Sequence, residues 1–105
     1  MWSVEYSPAA VGERAALPAD MRARMTRMAA VIEEHGLTEL PRGWVKFLDD
    51  KLWELRVTGK DGIARALYVT ATGQRVVILR IFVKKSQKTP KRELELARKR
   101  AKEIA

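Results

Sequence analysis

The spacing of apolar residues along the chain predicts a strand, two helices, three strands and a final helix, in that order. Apolar side chains alternate over residues 2–6, as expected for a strand with one buried face. Ser7 and the proline after it are typical of a helix start, so a short helix is expected over residues 9–16. A longer helix opens at Pro18. Its buried stripe is predicted to comprise Met21, Met25, Met28, Ala29 and Ile32.

The second half of the chain has the pattern of an antiparallel meander followed by a helix. Residues 37–50 are predicted to form an irregular connection, and strands are expected over residues 52–57, 63–70 and 75–83. Thr89 is predicted to cap the last helix, with Pro90 at its first position. We therefore expect an α+β fold in one domain, residues 1–105. A twisted antiparallel sheet of about four strands is expected, with two N-terminal helices packed on one face and a C-terminal helix, in the order β-α-α-β-β-β-α. Helices are expected to cover one face of the sheet.

Charge is distributed unevenly over the chain, whose net charge is +8. Residues 1–50 carry six Lys and Arg against eight Asp and Glu, whereas residues 51–105 carry fifteen against five. Such an asymmetry indicates that one face of the protein meets a polyanion. Nucleic acid is the first candidate, an acidic protein partner the second, and a membrane surface the least favoured.

The composition argues against several other classes of protein. The chain contains no cysteine, so neither a disulfide framework nor a thiolate metal site is expected. His35 is the only histidine, which makes a zinc site improbable and excludes a nuclease that uses two histidines as acid and base. No run of about 18 apolar residues indicates a transmembrane helix, and the N-terminus lacks the pattern of a signal peptide. We expect a cytoplasmic protein without a cofactor or metal.

Three arginines interrupt the apolar strands of the second half. Arg65 and Arg80 lie in runs that are otherwise apolar, so each side chain must reach solvent or a carboxylate. Arg56 is predicted to share a strand face with Glu54, with which it can form an ion pair. A surface salt bridge is the simpler interpretation of that pair. Three arginines on neighbouring strands repel one another unless an anion is expected, which favours phosphate binding.

A cluster of cations follows the last strand, where the final helix begins. Its members are Lys84, Lys85, Lys88, Lys91 and Arg92. The partial positive charge of a helix N-terminus adds to theirs. A lysine among other cations loses its proton more readily, so it can serve as a base as well as a phosphate contact. For the charges within the helix, a solvated surface is an equally good interpretation.

Three motifs resemble a known family, namely Lys51-Leu-Trp-Glu-Leu-Arg56, Gly62-Ile-Ala-Arg65 with Leu67-Tyr68, and the segment from Phe82 to Pro90. They are similar to the RelE/HigB-like toxins of type II toxin–antitoxin systems, in the phage-derived HigB-like branch. The resemblance covers most of the chain. The chain differs from the family in carrying Arg80 where relatives often have histidine, and in having no tyrosine beyond Tyr68.

The resemblance implies a metal-independent endoribonuclease that cleaves mRNA on the ribosome and so inhibits translation and growth. The ribose 2′-hydroxyl would attack the adjacent phosphate while cations stabilise the developing charge. By this resemblance Arg65 corresponds to the family's sheet arginine, and Lys84 and Lys85 correspond to its basic strand end. Together with Lys88 they are the candidate catalytic residues. The candidate RNA-binding residues are Lys51, Arg56, Arg80, Lys91 and Arg92.

The same resemblance implies a cognate antitoxin, expected to be a helix-turn-helix protein that forms an oligomer with the toxin. Two other functions stay open at this point. One is a ParE-like toxin of the same fold that binds DNA gyrase, and the lysine cluster argues against it. The other is a non-catalytic module that binds RNA or the ribosome, and the missing histidine and tyrosine favour it.

Overall fold

The computed structural model describes residues 1–84 and 88–104, which form five strands and three helices. In chain order these elements are β1 (Ser3–Tyr6), α1 (Pro8–Ala15), α2 (Ala19–His35), β2 (Val45–Asp49), β3 (Leu52–Gly59), β4 (Gly62–Ala71), β5 (Arg75–Lys84) and α3 (Lys91–Ala101). The predicted α+β class and element order are confirmed, with one strand more than expected. None of the described helices is long and apolar enough to cross a membrane.

The five strands form one sheet in the order β1-β5-β4-β3-β2. The strands from β2 to β5 pair antiparallel, as the meander predicts. β1 instead pairs parallel with β5, so the prediction of a purely antiparallel sheet is wrong. The two helices between β1 and the meander allow this arrangement, because a parallel pair needs a long crossover connection.

The additional strand, β2, lies within the segment predicted to be an irregular connection, and that prediction is wrong for residues 45–49. Val45 pairs with Leu55, and Phe47 pairs with Trp53. Along this strand no residue is fully buried, and a bulge follows Phe47. A short edge strand with charged and exposed positions gives only a weak alternating signal, which explains why the sequence pattern missed it.

The two N-terminal helices pack on one face of the sheet, as predicted, but helices cover both faces rather than one. The stripe of methionines on α2 packs with Ala10 of α1 against Leu55, Val57 and Tyr68 on one side of the sheet. We call this side the α1/α2 face. On the opposite side, Ala97 of α3 packs against Leu67 and Leu79, and we call it the α3 face. Successive residues of a strand point to opposite faces, so an apolar pattern on both faces requires cover on both.

Local signals explain where the helices begin and end. Ser7 caps α1 by accepting a hydrogen bond from the amide of Ala10, with Pro8 at the first helical position, as predicted. Gly36, with φ of 77°, ends α2. The predicted cap of α3 is wrong, because the capping position is Pro90, and Thr89 directs its hydroxyl elsewhere.

Candidate nucleic-acid interface

The carboxylate of Glu54, on β3, is the centre of the candidate site and is fully buried. Nη1 of Arg65 donates to Oε2 of Glu54 at 2.7 Å, and only 1% of Arg65 is exposed. The hydroxyl of Thr89 donates to Oε1 at 2.6 Å. Nε of Arg56 lies 3.7 Å from Oε2. A buried charge is costly unless it is paired, so Glu54 needs partners. By bonding to them it fixes three side chains, which come from β3, β4 and the segment before α3.

This arrangement differs from the surface salt bridge between Glu54 and Arg56 that was one interpretation of the sequence. The main partner of Glu54 is Arg65 of the neighbouring strand, and the pair is buried rather than exposed to solvent. The expectation that Arg65 must reach solvent or a carboxylate is confirmed, and the carboxylate is that of Glu54.

The cations on the α3 face form neighbouring rows across the sheet. Arg56 of β3 lies directly opposite Arg65 of β4, which lies opposite Phe82 of β5. Lys84, two residues beyond Phe82, points to the same face. Like charges opposite one another destabilise a sheet, and Glu54 offsets part of that repulsion. Arg56 keeps 31% of its side chain exposed, and Lys84 is half-buried, so an anion in solvent can approach both.

Arg80 also points to the α3 face, but two carboxylates already bind it. Its Nε donates to Glu93 at 2.8 Å, and its Nη1 donates to Glu13 at 2.6 Å. The hydrogen bonds that Arg80 donates to these carboxylates, that to Glu93 above all, raise the pKa of Arg80 further. Arg100 joins the group by donating to Glu13 at 2.9 Å and to the carbonyl of Leu79 at 2.8 Å. This cluster ties α1, β5 and α3 together.

The predicted lysine cluster lies at the junction between β5 and α3. Lys84 ends β5, whereas Lys91 and Arg92 begin α3 and are exposed. Lys88, in the segment before α3, is exposed as well and makes interactions of its own. Lys85 lies outside the described residues. Cations in the first turn of a helix oppose the helix dipole, so their position there is favoured when an anion binds nearby.

Lys51 is the one predicted RNA-binding residue that the structure places at the other end of the sheet. It precedes β3 and is five residues from Arg56, which corresponds to about 17 Å along a strand. Lys51 lines a groove of about 490 Å³ beside the C-terminal half of α3, together with Arg98 and Lys102. Arg98 is paired there with Asp49. The structure therefore does not bring Lys51 together with the other candidate residues.

Three side chains at the site did not stand out as functional from the sequence. Lys46 of β2 lies opposite Glu54 on the same face and is exposed. It was missed because β2 was not predicted. Thr89 was interpreted as a helix cap, and its contact with Glu54 depends on tertiary structure alone. The isolated carboxylate of Glu54 between apolar residues was the signal that could have found the buried pair.

Within residues 1–84 and 88–104 there is no group of three or more His, Cys, Asp or Glu side chains that could hold a metal ion. The charged side chains that the structure describes at the site are cations and carboxylates, and of the carboxylates those of Glu54 and Glu93 are buried. Tyr68, the tyrosine nearest in sequence, lies on the α1/α2 face, and burial raises its pKa to about 12. It keeps its proton at physiological pH and lies on the wrong face for this site.

The mixed five-stranded sheet, with two helices on one face and a third on the other, places this chain in the RelE-like class of α+β folds. A family model described as phage derived protein Gp49-like (DUF891) matches residues 13–102. The chain belongs to this family. The predicted resemblance to the phage-derived branch of the RelE superfamily is thus confirmed for the family by this match, and the RelE-like fold is confirmed by solved structures. A search of curated protein sequences gives no significant match.

Two solved structures show the same fold at low sequence identity. One is a mutant of the E. coli toxin RelE in the free state, with a TM-score of 0.60 and 14% identity, over 99% of this chain and 98% of that one. The other is the YoeB-YefM complex from Staphylococcus aureus, with a TM-score of 0.58 and 14% identity, over 80% of this chain and 98% of the matched chain. At this identity the likeness concerns the fold alone.

Proposed function

We propose that this protein is the toxin of a toxin–antitoxin pair and acts in the cytoplasm as a metal-independent endoribonuclease on mRNA in the ribosome. Its fold matches that of a solved structure of the toxin RelE and that of a chain in the solved YoeB-YefM complex. In the proposal the cognate antitoxin of this chain is a helix-turn-helix protein that forms an oligomer with it. Arrested growth follows from inhibited translation.

The cations Arg56, Arg65 and Lys84, which lie on three neighbouring strands and point to the α3 face, are the observation that carries the proposal. Phosphates along an RNA strand are the natural partners of cations spaced along neighbouring strands. A sheet that needed only stability would fill these positions with apolar or neutral residues, since like charges directly opposite one another are unfavourable. The exposed Lys46 and the cations at the start of α3 extend the same surface.

The reaction in this proposal is a transfer within one RNA strand. The 2′-hydroxyl oxygen forms a bond to the adjacent phosphorus, and the bond from phosphorus to the 5′-oxygen of the next nucleotide breaks. One group accepts the proton of the 2′-hydroxyl, and another donates a proton to the leaving 5′-oxygen. Lys84 and Lys88 are our candidates for moving protons. Arg65 and Lys85 are our candidates for stabilising the charge on the phosphate, each worth roughly a hundredfold or more in rate.

The burial of Arg65 adds a condition to this mechanism. A phosphate can reach Arg65 only if the surrounding chain opens, because 1% of the side chain is exposed. The bond from Thr89 to Glu54 is one contact that must break in the process. Arg56 and Lys84 need no such change to touch RNA. Glu54 in this proposal is a positioning residue that holds both arginines toward the bound strand.

The test is cleavage of a defined mRNA on purified ribosomes, with the products mapped at both ends. The expected products carry a 2′,3′-cyclic phosphate and a 5′-hydroxyl, and EDTA does not lower the rate once the ribosomes are kept intact by added polyamine. Lys84→Ala is expected to slow cleavage roughly a hundredfold. Lys99→Ala, which removes an exposed lysine farther along α3, is the matched control and should cleave at the normal rate.

A non-catalytic module that binds RNA or the ribosome is the second candidate. The pairing of Arg65 with Glu54, and of Arg80 with two carboxylates, favours it because both charges are satisfied within the protein. The same assay distinguishes the two functions. Ribosome binding that is lost with Lys84→Ala, in the absence of any RNA cleavage, would establish the binding module in place of the nuclease.

A further inference from the structure

The outer edge of β2 differs from the other edge of the sheet. At the β1 edge, the carboxylate of Glu33 on α2 accepts a hydrogen bond from the outward amide of Val4 at 2.9 Å. Within residues 1–84 and 88–104, no comparable side chain bonds to the outward backbone of β2. An edge whose outward backbone groups have no partner can pair with another chain, and the short length of β2 and the bulge after Phe47 confine that pairing to Val45 and Phe47.

The direction of the backbone groups on β2 follows from its pairing with β3. The carbonyl of Trp44 accepts a hydrogen bond from the amide of Arg56, and bonded pairs alternate along an antiparallel ladder. Lys46 therefore bonds back to β3. The amide and carbonyl groups of Val45 and Phe47 point away from the sheet, where a further strand can bind them.

An exposed aromatic pair accompanies this open edge. Phe47 and Trp53 are cross-strand neighbours, with ring centroids 5.2 Å apart in an edge-to-face arrangement. The exposed fractions are 51% for Phe47 and 37% for Trp53. Large aromatic side chains left in solvent at a sheet edge are typical of sites where a protein partner binds.

The charges around the edge indicate which partner fits. Lys46 alternates with Phe47 and is exposed on the α3 face, beside Arg56. A second copy of this chain would bring another Lys46 to the same face and another net charge of +8, which opposes self-pairing. RNA lacks the peptide groups that complete a strand edge, and the aromatic pair faces away from the row of cations.

We propose that an extended segment of the cognate antitoxin adds to the sheet as a sixth strand alongside β2. Residues of this segment that face the α1/α2 side are apolar and cover Phe47 and Trp53. Alternate residues are acidic and face Lys46 on the α3 side. Main-chain hydrogen bonds to Val45 and Phe47 supply affinity, and the alternating side chains supply specificity. The inference rests on the proposed function, because it takes the antitoxin as the partner.

The experiment uses the chain of 105 residues with the antitoxin encoded beside its gene. Amide hydrogen exchange is measured by NMR on the free chain and on the complex, and the dissociation constant is measured for variants. We expect exchange at the amides of Val45 and Phe47 to slow at least tenfold in the complex. Phe47→Asp should weaken binding at least tenfold. Val11→Asp, at an apolar position on α1 that is equally exposed, should leave the affinity unchanged.

The remaining outcomes overturn the inference in distinguishable ways. If the neighbouring protein does not bind at all, both the proposed function and this inference fail. If it binds while exchange at Val45 and Phe47 is unchanged, only the inference fails. Sedimentation that shows a dimer of the free chain, dissociated by Phe47→Asp, would assign the edge to a second copy. Protection of the same amides by a ten-nucleotide single-stranded RNA would assign it to RNA.

Discussion

Glu54 and Arg65 form a fully buried ion pair, with 2.7 Å between Oε2 and Nη1, on adjacent strands beneath α3. The pair joins the fold and the candidate site, because the arginine implied in catalysis is also a structural residue. A loss of activity in an Arg65 variant can therefore arise from unfolding as readily as from lost chemistry. Any functional test of this arginine requires a stability measurement beside it.

We predict that breaking the pair destabilises the protein strongly. Glu54→Leu leaves a buried guanidinium without its carboxylate, and Arg65→Met leaves a buried carboxylate without its guanidinium. Each should lower the free energy of unfolding by about 3–5 kcal/mol. Replacing both partners together, as Glu54→Leu with Arg65→Met, should cost much less than the sum of the two single changes.

Urea denaturation of the three variants and of the unchanged chain gives the coupling energy directly. Thr89→Val is a useful companion variant, because it removes one hydrogen bond to Glu54 without leaving an unpaired charge. Its cost should be about 1 kcal/mol. Equal losses for the double replacement and for the sum of the single ones would contradict the interpretation of a coupled buried pair.

The two other arginines of the strands should differ in how they contribute to RNA binding. Arg80 already bonds to Glu13 and Glu93, whereas Arg56 lies 3.7 Å from its single carboxylate and is partly exposed. A cation that is satisfied within the protein releases few counterions when it meets a phosphate. We predict that Arg56→Gln flattens the slope of log affinity against log salt by roughly 0.7.

Arg80→Gln should change the slope of log affinity against log salt by much less than Arg56→Gln does. The measurement is a titration of a fluorescent single-stranded RNA at several salt concentrations, with Lys99→Gln as the control for an exposed lysine outside the candidate interface. A larger change of slope for Arg80→Gln than for Arg56→Gln would show that RNA displaces the carboxylates, and the prediction would then be wrong.

Most of the fold could be predicted from the sequence because its signals are local. The cap at Ser7, the methionine stripe of α2 and the apolar strands of the meander each depend on neighbouring residues. The parallel pairing of β1 with β5 and the position of α3 depend on contacts between distant segments. An apolar stripe shows that a helix is packed, but not against which face of a sheet.

The candidate site could be predicted only in part, for a similar reason. The sequence shows that Arg65 and Arg80 need carboxylates, but it does not show which ones. The partners, Glu54 for one and Glu13 with Glu93 for the other, come from different elements. Whether a charge faces solvent or a partner is decided by packing, so the availability of each arginine for RNA could be judged only from the structure.

Two glycines offer a matched prediction about packing. A Cβ added at Gly59, at the end of β3, would lie 2.8 Å from Cγ of Met21 and 2.9 Å from Oδ2 of Asp20. Gly59→Ala should therefore lower the free energy of unfolding by about 1–3 kcal/mol. Gly12, within α1, has nothing within 4 Å of an added Cβ. Gly12→Ala should raise the free energy of unfolding by about 0.5–1 kcal/mol.

Thermal and urea unfolding of both variants test these two predictions, which give changes of opposite sign in the free energy of unfolding. Gly59→Ala is not expected to change RNA affinity, because Gly59 packs against α2 on the face away from the cations. A neutral Gly59→Ala would mean that Met21 and Asp20 move aside at no cost.

The last prediction concerns acid sensitivity at the turn between β3 and β4. The carboxylate of Asp20, in the first turn of α2, accepts a hydrogen bond from the amide of Lys60 at 3.0 Å. This bond is the main reason that the pKa of Asp20 is lowered below the ordinary value of 3.8. A lowered pKa in the folded state means that the ionised carboxylate favours folding. That contribution is complete above pH 3.8 and is lost as the pH falls through the folded-state value.

Asp20→Asn keeps an acceptor for the amide but removes the charge, so it should lower the urea midpoint at pH 6. The difference between the variant and the unchanged chain should shrink as the pH approaches 3. Asp61→Asn, at an exposed position in the same turn, is the control for a change of net charge. A difference between the midpoints that stays constant from pH 6 to pH 3 would show that the charge of Asp20 does not stabilise this turn.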